Sequence, residues 1–264
     1  MNSVRDLIPY KNSPDGHSIR RAVLAGIIFT AAVVLMCAAC AITYAIARFT
    51  SGDASAVNAV SERVALPMIV IDAGHGGIDG GAVGADGSLE KEINLAVAKK
   101  LASLCNLSGI DCVLTRNDDR MLVDDSVTSR RKMHDLKNRL AVVDGLCESG
   151  RDVIFVSIHM NNFPSPKYSG LQVWYSKNNS LSSELAAYVQ SYARTWLDTS
   201  NTRQTKAATS AIYLLDRATV PAILVECGFL SNPDECARLG SDEYRTKLAV
   251  TIYAAVCDYL KNEG

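Results

Sequence analysis

Three titratable side chains of this chain follow apolar runs and could perform metal-assisted hydrolysis. His75 follows the strand-like run Met68–Asp72, His159 ends the run Val153–Ile158, and Glu226 comes directly after Ala222–Val225. Continuous apolar runs of this length are typical of strands buried on both faces. Ligand sites of such sheets lie at the carboxyl ends of the strands, so we expect the three side chains at one edge.

A fourth candidate, Glu90, opens a predicted helix after a glycine-rich stretch that begins beside His75. Acidic residues also occur near helix starts because they interact well with the helix dipole. Glu92 is a competing acid, but residues two apart on a helix point about 200° away from each other. At most one of the two glutamates therefore faces the site.

Two histidines and one glutamate form a known ligand set for catalytic zinc, which leaves a fourth position to water. The pKa of that water falls to about 7, and a nearby carboxylate can then take its proton. In this interpretation His75, Glu90 and His159 bind one Zn²⁺ ion. Glu226 is the spare carboxylate that handles the proton and stabilises the tetrahedral intermediate.

Other chemistries fit the sequence less well. The glycines around His75 match neither G-x-G-x-x-G nor G-x-x-x-x-G-K-[ST], the two phosphate-binding motifs. The sequence also lacks the G-x-S-x-G elbow of serine hydrolases. A cysteine amidase could use Cys227 with His159. Neighbouring residues of a strand point to opposite faces of the sheet, however, so Cys227 should point to the face opposite that of Glu226.

Strand-like and helix-like segments alternate along the rest of the chain. Strands are predicted at 68–73, 111–116, 153–159, 171–176, 212–216 and 222–229. Helices are predicted at 91–109, 128–148, 180–197 and 242–261. This alternation predicts an α/β domain with a mostly parallel twisted sheet flanked by helices on both faces.

The N-terminal region is predicted to be an appendage of that domain. Residues 1–21 are a polar tail, 22–47 contain no charged residue, 48–65 read as a linker, and 66–264 form the catalytic domain. The apolar run exceeds the roughly 20 residues that cross a bilayer. It predicts one transmembrane helix before the α/β domain, with membrane-anchored localisation as the consequence.

The charges beside the apolar run predict its orientation. Arg20 and Arg21 abut its start, so the N-terminus is expected in the cytoplasm and the catalytic domain outside the membrane. A cleaved signal peptide ending at Ala47 is the alternative, because Ala45 and Ala47 resemble a cleavage site. A lipoprotein cleavage site at Cys40 is a weaker alternative.

Composition limits the partners. The formal net charge is −1 and no basic motif is present, so nucleic-acid binding is not expected. Six cysteines lie outside 22–47 and show no Cys-x-x-Cys spacing, which argues against a zinc ribbon and leaves one or two disulfides open. They are Cys105, Cys112, Cys147, Cys227, Cys236 and Cys257.

Four blocks of the chain, IDAGHGG (71–77), EK (90–91), SIHMN (157–161) and VECGFLSN (225–232), resemble the amidase-3 family of zinc N-acetylmuramoyl-L-alanine amidases. They occur in the order that the family has. The resemblance implies an α/β fold. It also implies hydrolysis of the amide between the lactyl group of N-acetylmuramic acid and L-alanine in peptidoglycan.

The family's residue roles transfer onto matching positions. They imply that the first-block histidine, His75, the EK-block glutamate, Glu90, and the SIHMN histidine, His159, bind zinc. The last-block glutamate, Glu226, would be catalytic. Two positions depart from many relatives: Met160 stands where they carry a small residue or leucine, and Ala73 stands where they carry proline. Neither position needs to touch the metal.

Within that family the chain resembles a sporulation group. The segment 165–170, the single apolar N-terminal run and the lack of wall-binding repeats carry this likeness. It implies a role in spore cortex maturation, in which muramic-δ-lactam forms before germination. Asn161 and Lys167 are candidate substrate-binding residues, and an activating protein is a candidate partner. A zinc peptidase acting within the stem peptide and a catalytically silent wall-binding protein remain alternatives.

Overall fold

The computed structural model of the chain describes Met36, Thr43 and residues 66–263. Within 66–263 the chain forms six strands and six helices. The strands are β1 (Met68–Ala73), β2 (Cys112–Leu114), β3 (Val153–Asn161), β4 (Gln172–Tyr175), β5 (Lys206–Ala207) and β6 (Ala222–Phe229). The helices are α1 (Glu90–Leu107), α2 (Arg131–Glu148), α3 (Leu181–Trp196), α4 (Tyr213–Arg217), α5 (Pro233–Gly240) and α6 (Asp242–Glu263).

The strands form one sheet in the order β2-β1-β3-β6-β4-β5. β2, β1, β3 and β6 run parallel, whereas β4 pairs antiparallel with β6 and parallel with β5. The predicted mostly parallel sheet is therefore confirmed. Because the central strands are parallel, the carboxyl ends of β1, β3 and β6 meet at one edge.

Helices cover both faces of the sheet, as predicted. Ile69 and Ile71 of β1 face a core shared with α1, α3 and α6, while Val70 faces a second core shared with α2 and α4. Side chains alternate between the faces of a strand, so an apolar run without interruption can serve both cores. β1, β3 and β6 are consequently held rigidly between two packed layers.

The prediction of a strand at 212–216 is wrong, because that segment belongs to the short helix α4. Asp216 N–H donates to the Ile212 carbonyl at 2.9 Å and Ala218 N–H donates to the Leu214 carbonyl at 2.8 Å. The edge position beside β4 is taken instead by β5. Leu214 and Leu215 are both buried in the second core, which one turn of helix allows.

The prediction of membrane-anchored localisation, with the catalytic domain outside the membrane, is corrected by the structure. No helix of the described part is long and apolar enough to cross a membrane. The longest, α6, has 22 residues but exposes charged side chains such as Glu243 and Lys247. The predicted segments 1–21, 22–47 and 48–65 lie outside the described residues, apart from Met36 and Thr43.

Candidate metal centre and active site

His75, His159 and Glu226 lie at the same edge of the sheet. β1 and β3 pair in register up to Ala73 and Ile158, so His75 leaves β1 next to the end of β3. His159 pairs directly with Glu226 across β3 and β6. Glu90 reaches the same place from the first residue of α1, and the fold thus brings the four predicted residues together.

The donor atoms of the three proposed ligands form a compact set. His75 Nε2 lies 3.2 Å from Glu90 Oε2, and His159 Nδ1 lies 2.9 Å from Glu90 Oε1. One donor atom from each residue lies within 4.8 Å of both others. Ligands of a tetrahedral zinc ion, with bonds of about 2.0–2.1 Å, are separated by about 3.3 Å. The donor types and their spacing therefore fit zinc.

Glu90 is held as a buried carboxylate. Its Oε2 accepts from the Ala82 N–H at 2.8 Å, and its Oε1 accepts from the Met160 N–H at 3.1 Å and from Asn94 Nδ2 at 3.2 Å. Burial raises the pKa of Glu90, but hydrogen bonds and charge from the two site histidines outweigh this and hold the pKa well below its usual range. Glu92 is exposed, so Glu90 is the acid that faces the site.

The glycines around His75 provide room for close contacts. His75 has a φ of 61°, in the left-handed region that non-glycine residues rarely adopt. A Cβ on Gly74 would lie 2.2 Å from His159 Nε2, and a Cβ on Gly81 would lie 2.5 Å from Glu90 Oε2. The glycine-rich stretch thus lets the backbone pass against the ligand side chains.

His75 also has a carboxylate on the other side of its ring. Its Nδ1 lies 3.0 Å from Asp79 Oδ2, and Lys132 Nζ lies 3.2 Å from the same oxygen. A carboxylate in this position can orient a metal-binding histidine, although His75 Nδ1 and Asp79 Oδ2 do not meet hydrogen-bond geometry here. The sequence prediction missed Asp79, although its position four residues after His75 was a usable signal.

Glu226 differs from Glu90 in its surroundings. Its Oε2 is buried and has no hydrogen-bond partner among the described residues. Burial, reinforced by the charge of Glu90, raises the pKa of Glu226 to about 7, although His159 and His75 act in the opposite direction. A carboxyl group with these properties can accept and return a proton near neutral pH.

The described domain is similar to proteins of a known family. The sequence model of Amidase_3, described as N-acetylmuramoyl-L-alanine amidase, matches residues 69–258. The chain belongs to this family. It therefore shares the family's activity, that of an N-acetylmuramoyl-L-alanine amidase acting on peptidoglycan.

Two relatives of this amidase are a germination-specific enzyme and an amidase solved with a lipoprotein. The germination-specific N-acetylmuramoyl-L-alanine amidase of Bacillus subtilis (strain 168) is 36% identical, over 75% of this chain and 81% of that protein. The CwlD amidase from Clostridioides difficile, solved in complex with the GerS lipoprotein, is 39% identical, with a TM-score of 0.70 over 75% of this chain and 100% of that chain.

A third match is the CwlV catalytic domain from Bacillus (Paenibacillus) polymyxa var. colistinus. It is 30% identical, with a TM-score of 0.61 over 74% of this chain and 99% of that chain. Together with the two preceding relatives, it supports the predicted resemblance. The chain is a CwlD-type member of the amidase-3 family.

A cavity of about 240 Å³ opens beside the proposed ligands of the amidase. His75, His159 and Glu226 are among its lining residues, as is Lys132 of α2. The segment 211–214 before and within α4 also contributes. The sequence prediction missed that segment, because it was interpreted as a strand of the sheet.

The two predicted substrate-binding residues do not line this cavity of the described domain. Asn161 ends β3, and its carbonyl accepts a 2.8 Å hydrogen bond from the Leu230 N–H. Lys167 is exposed in the loop that follows β3. The structure thus places Asn161 two residues beyond His159 and leaves Lys167 on the surface.

The cysteines of the amidase do not form an alternative centre. All six cysteines that the structure describes are free, so no disulfide joins them. Cys227 is fully buried in the core shared with α1, α3 and α6, and burial raises the pKa of its thiol far above the usual range. A thiol held in this state is a poor nucleophile, which argues against a cysteine amidase.

Proposed function

We propose that the protein is a zinc-dependent N-acetylmuramoyl-L-alanine amidase. It hydrolyses the amide between the lactyl group of N-acetylmuramic acid and L-alanine. The observation that carries this proposal is the approach of His75, Glu90 and His159 donor atoms to within 4.8 Å of one another. Glu226, with its unpartnered Oε2, lies beside them as a separate carboxyl group.

His75, Glu90 and His159 would hold one zinc ion, and their types match a hydrolytic zinc site. When bound, zinc would supply Lewis-acid chemistry, which polarises the scissile carbonyl and lowers the pKa of water. The hydrogen bonds that Glu90 accepts from the Ala82 and Met160 N–H groups support a ligand role, because they hold the carboxylate in one orientation.

Glu226 would move the proton of the reaction. Its Oε2 would accept a proton from the attacking water and return it to the nitrogen of L-alanine as the C–N bond breaks. A pKa of about 7 suits both steps, because the group can gain and lose a proton near neutral pH. Asp79 would keep the His75 ring in place during these steps, through its 3.0 Å contact with Nδ1.

Asn161 and Lys167 are proposed to bind the substrate on the side of the β3–β4 loop. The aromatic rings of that loop support a binding surface there: Phe163 and Tyr168 are 47% and 40% exposed, with centroids 4.7 Å apart. Partly exposed aromatic rings offer apolar faces with little loss of side-chain entropy on binding.

The biological role is proposed to be spore cortex maturation. Removal of stem peptides from muramic acid there would allow muramic-δ-lactam to form, as needed for germination. The germination-specific relative in Bacillus subtilis supports this role. The Clostridioides difficile relative was solved in complex with the GerS lipoprotein, which supports a partner protein for this amidase. That partner is proposed to activate it.

Product analysis tests the reaction. Purified full-length protein is incubated with zinc and peptidoglycan, and the new amino groups are labelled and identified. We expect free L-alanine amino termini. New amines from D-amino acids or diaminopimelate would show cleavage within the stem peptide instead. Release of no amines by protein that has bound zinc, even with its partner added, would favour a wall-binding protein.

Metal analysis tests the ligands. We expect about one zinc ion per chain in the wild type and in His134→Ala, since His134 is an exposed histidine of α2. His159→Ala should lose most of the bound zinc, because the remaining two ligands cannot complete the site. Equal zinc content in the two variants would contradict the assignment of His159.

A further inference from the structure

Several polar contacts join the segments that carry His75 and Glu90, and two of them involve charged side chains outside the ligand set. One tie is Arg116, which follows β2, and the other is the ion pair between Lys91 and Asp119. We propose that these three residues are positioning residues that set the separation of His75 and Glu90. This inference rests on the proposed function, in which those two side chains bind the same ion.

Arg116 makes the first tie with a single planar group. Its Nε donates to the Ala73 carbonyl at 2.9 Å, and its Nη2 donates to the Gly74 carbonyl at 3.0 Å. The same Nη2 donates to the Lys91 carbonyl in the first turn of α1 at 2.8 Å. One guanidinium thus contacts both the residues before His75 and the residue after Glu90.

The chemistry of arginine suits this task. Arg116 is 1% exposed and presents its donors in a rigid fork, whereas lysine would present a single flexible ammonium group. Its Nη1 also donates to the Asp118 carbonyl at 2.9 Å, which fixes the plane of the fork. The position of Lys91 relative to Gly74 therefore depends on the shape of the guanidinium, and Asn94 Nδ2 is a second donor from α1 to the Gly74 carbonyl, at 3.1 Å.

The ion pair makes the second tie on the solvent side. Lys91 Nζ donates to the Gly77 carbonyl at 2.8 Å and to Asp119 Oδ2 at 2.7 Å. Asp119 Oδ1 accepts from the Gly77 N–H at 2.8 Å. Both polar groups of the Gly77 backbone are therefore bound, and the loop beyond His75 is held against the start of α1.

The backbone of His75 explains why such ties matter. Its left-handed φ of 61° is unfavourable for a residue with a side chain, and such conformations persist only when their surroundings hold them. The two ties lie on either side of His75 in the chain, at Gly74 and at Gly77. Arg139 also donates to the His75 carbonyl, so the loss of one tie should shift the loop without releasing it, and we expect His75 Nε2 to move away from Glu90.

A role in general stability alone predicts a different result from a role in positioning. A structural residue lowers the unfolding temperature of the metal-free protein when it is replaced. A positioning residue lowers zinc affinity beyond what that loss of stability explains. The matched control is Arg194, which also donates to two main-chain carbonyls, those of Asn201 at 2.9 Å and Arg203 at 2.8 Å, but contacts neither ligand segment.

The experiment compares full-length wild type with Arg116→Lys, Asp119→Asn and Arg194→Lys. Zinc dissociation constants are measured by competition with a chromogenic chelator, and unfolding temperatures are measured without metal. We expect Arg116→Lys to bind zinc about 10–100-fold more weakly, the usual effect of losing a supporting contact. Asp119→Asn should show a smaller loss, and Arg194→Lys should match the wild type.

The outcomes separate this inference from the proposed function. If the wild type binds zinc and Arg116→Lys and Asp119→Asn bind it equally well, the positioning role is wrong and the proposed function stands. If the wild type binds no zinc, both are wrong. Should Arg116→Lys fail to fold, Asp119→Asn decides, because its side chain is 52% exposed and its loss leaves the core intact.

Discussion

At the scale of single residues, the two carboxyl groups of the site are adapted to different tasks. Glu90 accepts hydrogen bonds from the Ala82 and Met160 N–H groups, and its pKa lies well below the usual range. Glu226 has an unpartnered Oε2, and burial raises its pKa to about 7. Environments that push two pKa values apart assign one carboxylate to binding and the other to proton transfer.

This contrast predicts the effect of Glu226→Gln. The amide cannot accept a proton, so the turnover number on peptidoglycan fragments should fall on the order of 10²–10⁴-fold. Zinc content should not change, since Glu226 is not a proposed ligand. The matched control is Glu92→Gln, which alters an exposed acid of α1 and should retain activity. A turnover number close to that of the control would rule out Glu226 as the proton carrier.

At the scale of elements, the segment between β1 and α1 delivers two proposed ligands through one glycine-rich connection. Gly81 has a φ of 69°, and a Cβ there would lie 2.5 Å from Glu90 Oε2 and 2.8 Å from His75 Cδ2. Gly87 has a φ of 86°, and a Cβ added at Gly87 would have no heavy atom within 4 Å. A substitution at Gly81 would therefore strain the backbone and crowd the proposed ligands, whereas a substitution at Gly87 would only strain the backbone.

Gly81→Ala and Gly87→Ala should consequently differ in activity more than in stability. Each places an L residue in a left-handed conformation, which costs about 1–2 kcal/mol. Only Gly81→Ala displaces the ligands, and a displacement near 1 Å can lower the rate on the order of 10²-fold. Chemical denaturation and amidase assays on the same samples measure both effects. Equal activity of the two variants would contradict the close approach at Gly81.

At the scale of the whole molecule, a buried ion pair joins α2 to the sheet beneath the site. Asp72 Oδ1 accepts from Arg139 Nη1 at 2.7 Å, and hydroxyl groups of Thr115 and Ser157 donate to the same carboxylate. Arg139 Nη2 also donates to the His75 carbonyl at 2.6 Å. Elements distant in sequence thus share one network that ends at a proposed ligand.

This network predicts an acid-sensitive contribution to stability. Burial raises the pKa of Asp72, but the charge of Arg139 and the two hydroxyl groups outweigh burial and lower the pKa below its usual value. A lowered folded-state pKa stabilises the protein above the unfolded value of about 3.9, and this stabilisation is lost as pH falls through the folded value. Asp72→Asn should therefore be less stable at pH 7 by about 3 kcal/mol.

The difference between wild type and Asp72→Asn should begin to narrow as the pH falls below about 4, where Asp72 of the unfolded chain gains its proton, and should keep narrowing down to the lower folded-state pKa. Urea unfolding between pH 3 and pH 7 measures this. Asp242→Asn is the control, because that carboxylate pairs with Lys100 at the surface and should change little at any pH. A constant difference across the range would mean that Asp72 contributes through packing and not through its charge.

The sequence by itself determined the buried strands and the residues at their ends. An apolar run such as Met68–Ile71 can be satisfied only between two packed layers, and this property is local to the run. His75, His159 and Glu226 were placed by the same reasoning, because parallel strands bring their carboxyl ends together. The segment 212–216 was misread because a short apolar run fits a helix and a strand equally well.

Only the tertiary structure decided which groups support the proposed ligands. Arg116 lies 42 residues from the Gly74 carbonyl that it binds, and Arg139 lies 64 residues from the His75 carbonyl. The periodicity of apolar residues in the sequence does not predict such hydrogen bonds, since a buried carbonyl accepts any donor that the fold brings within reach. The identity of the donor follows from packing across the whole domain, and for that reason it became visible only in three dimensions.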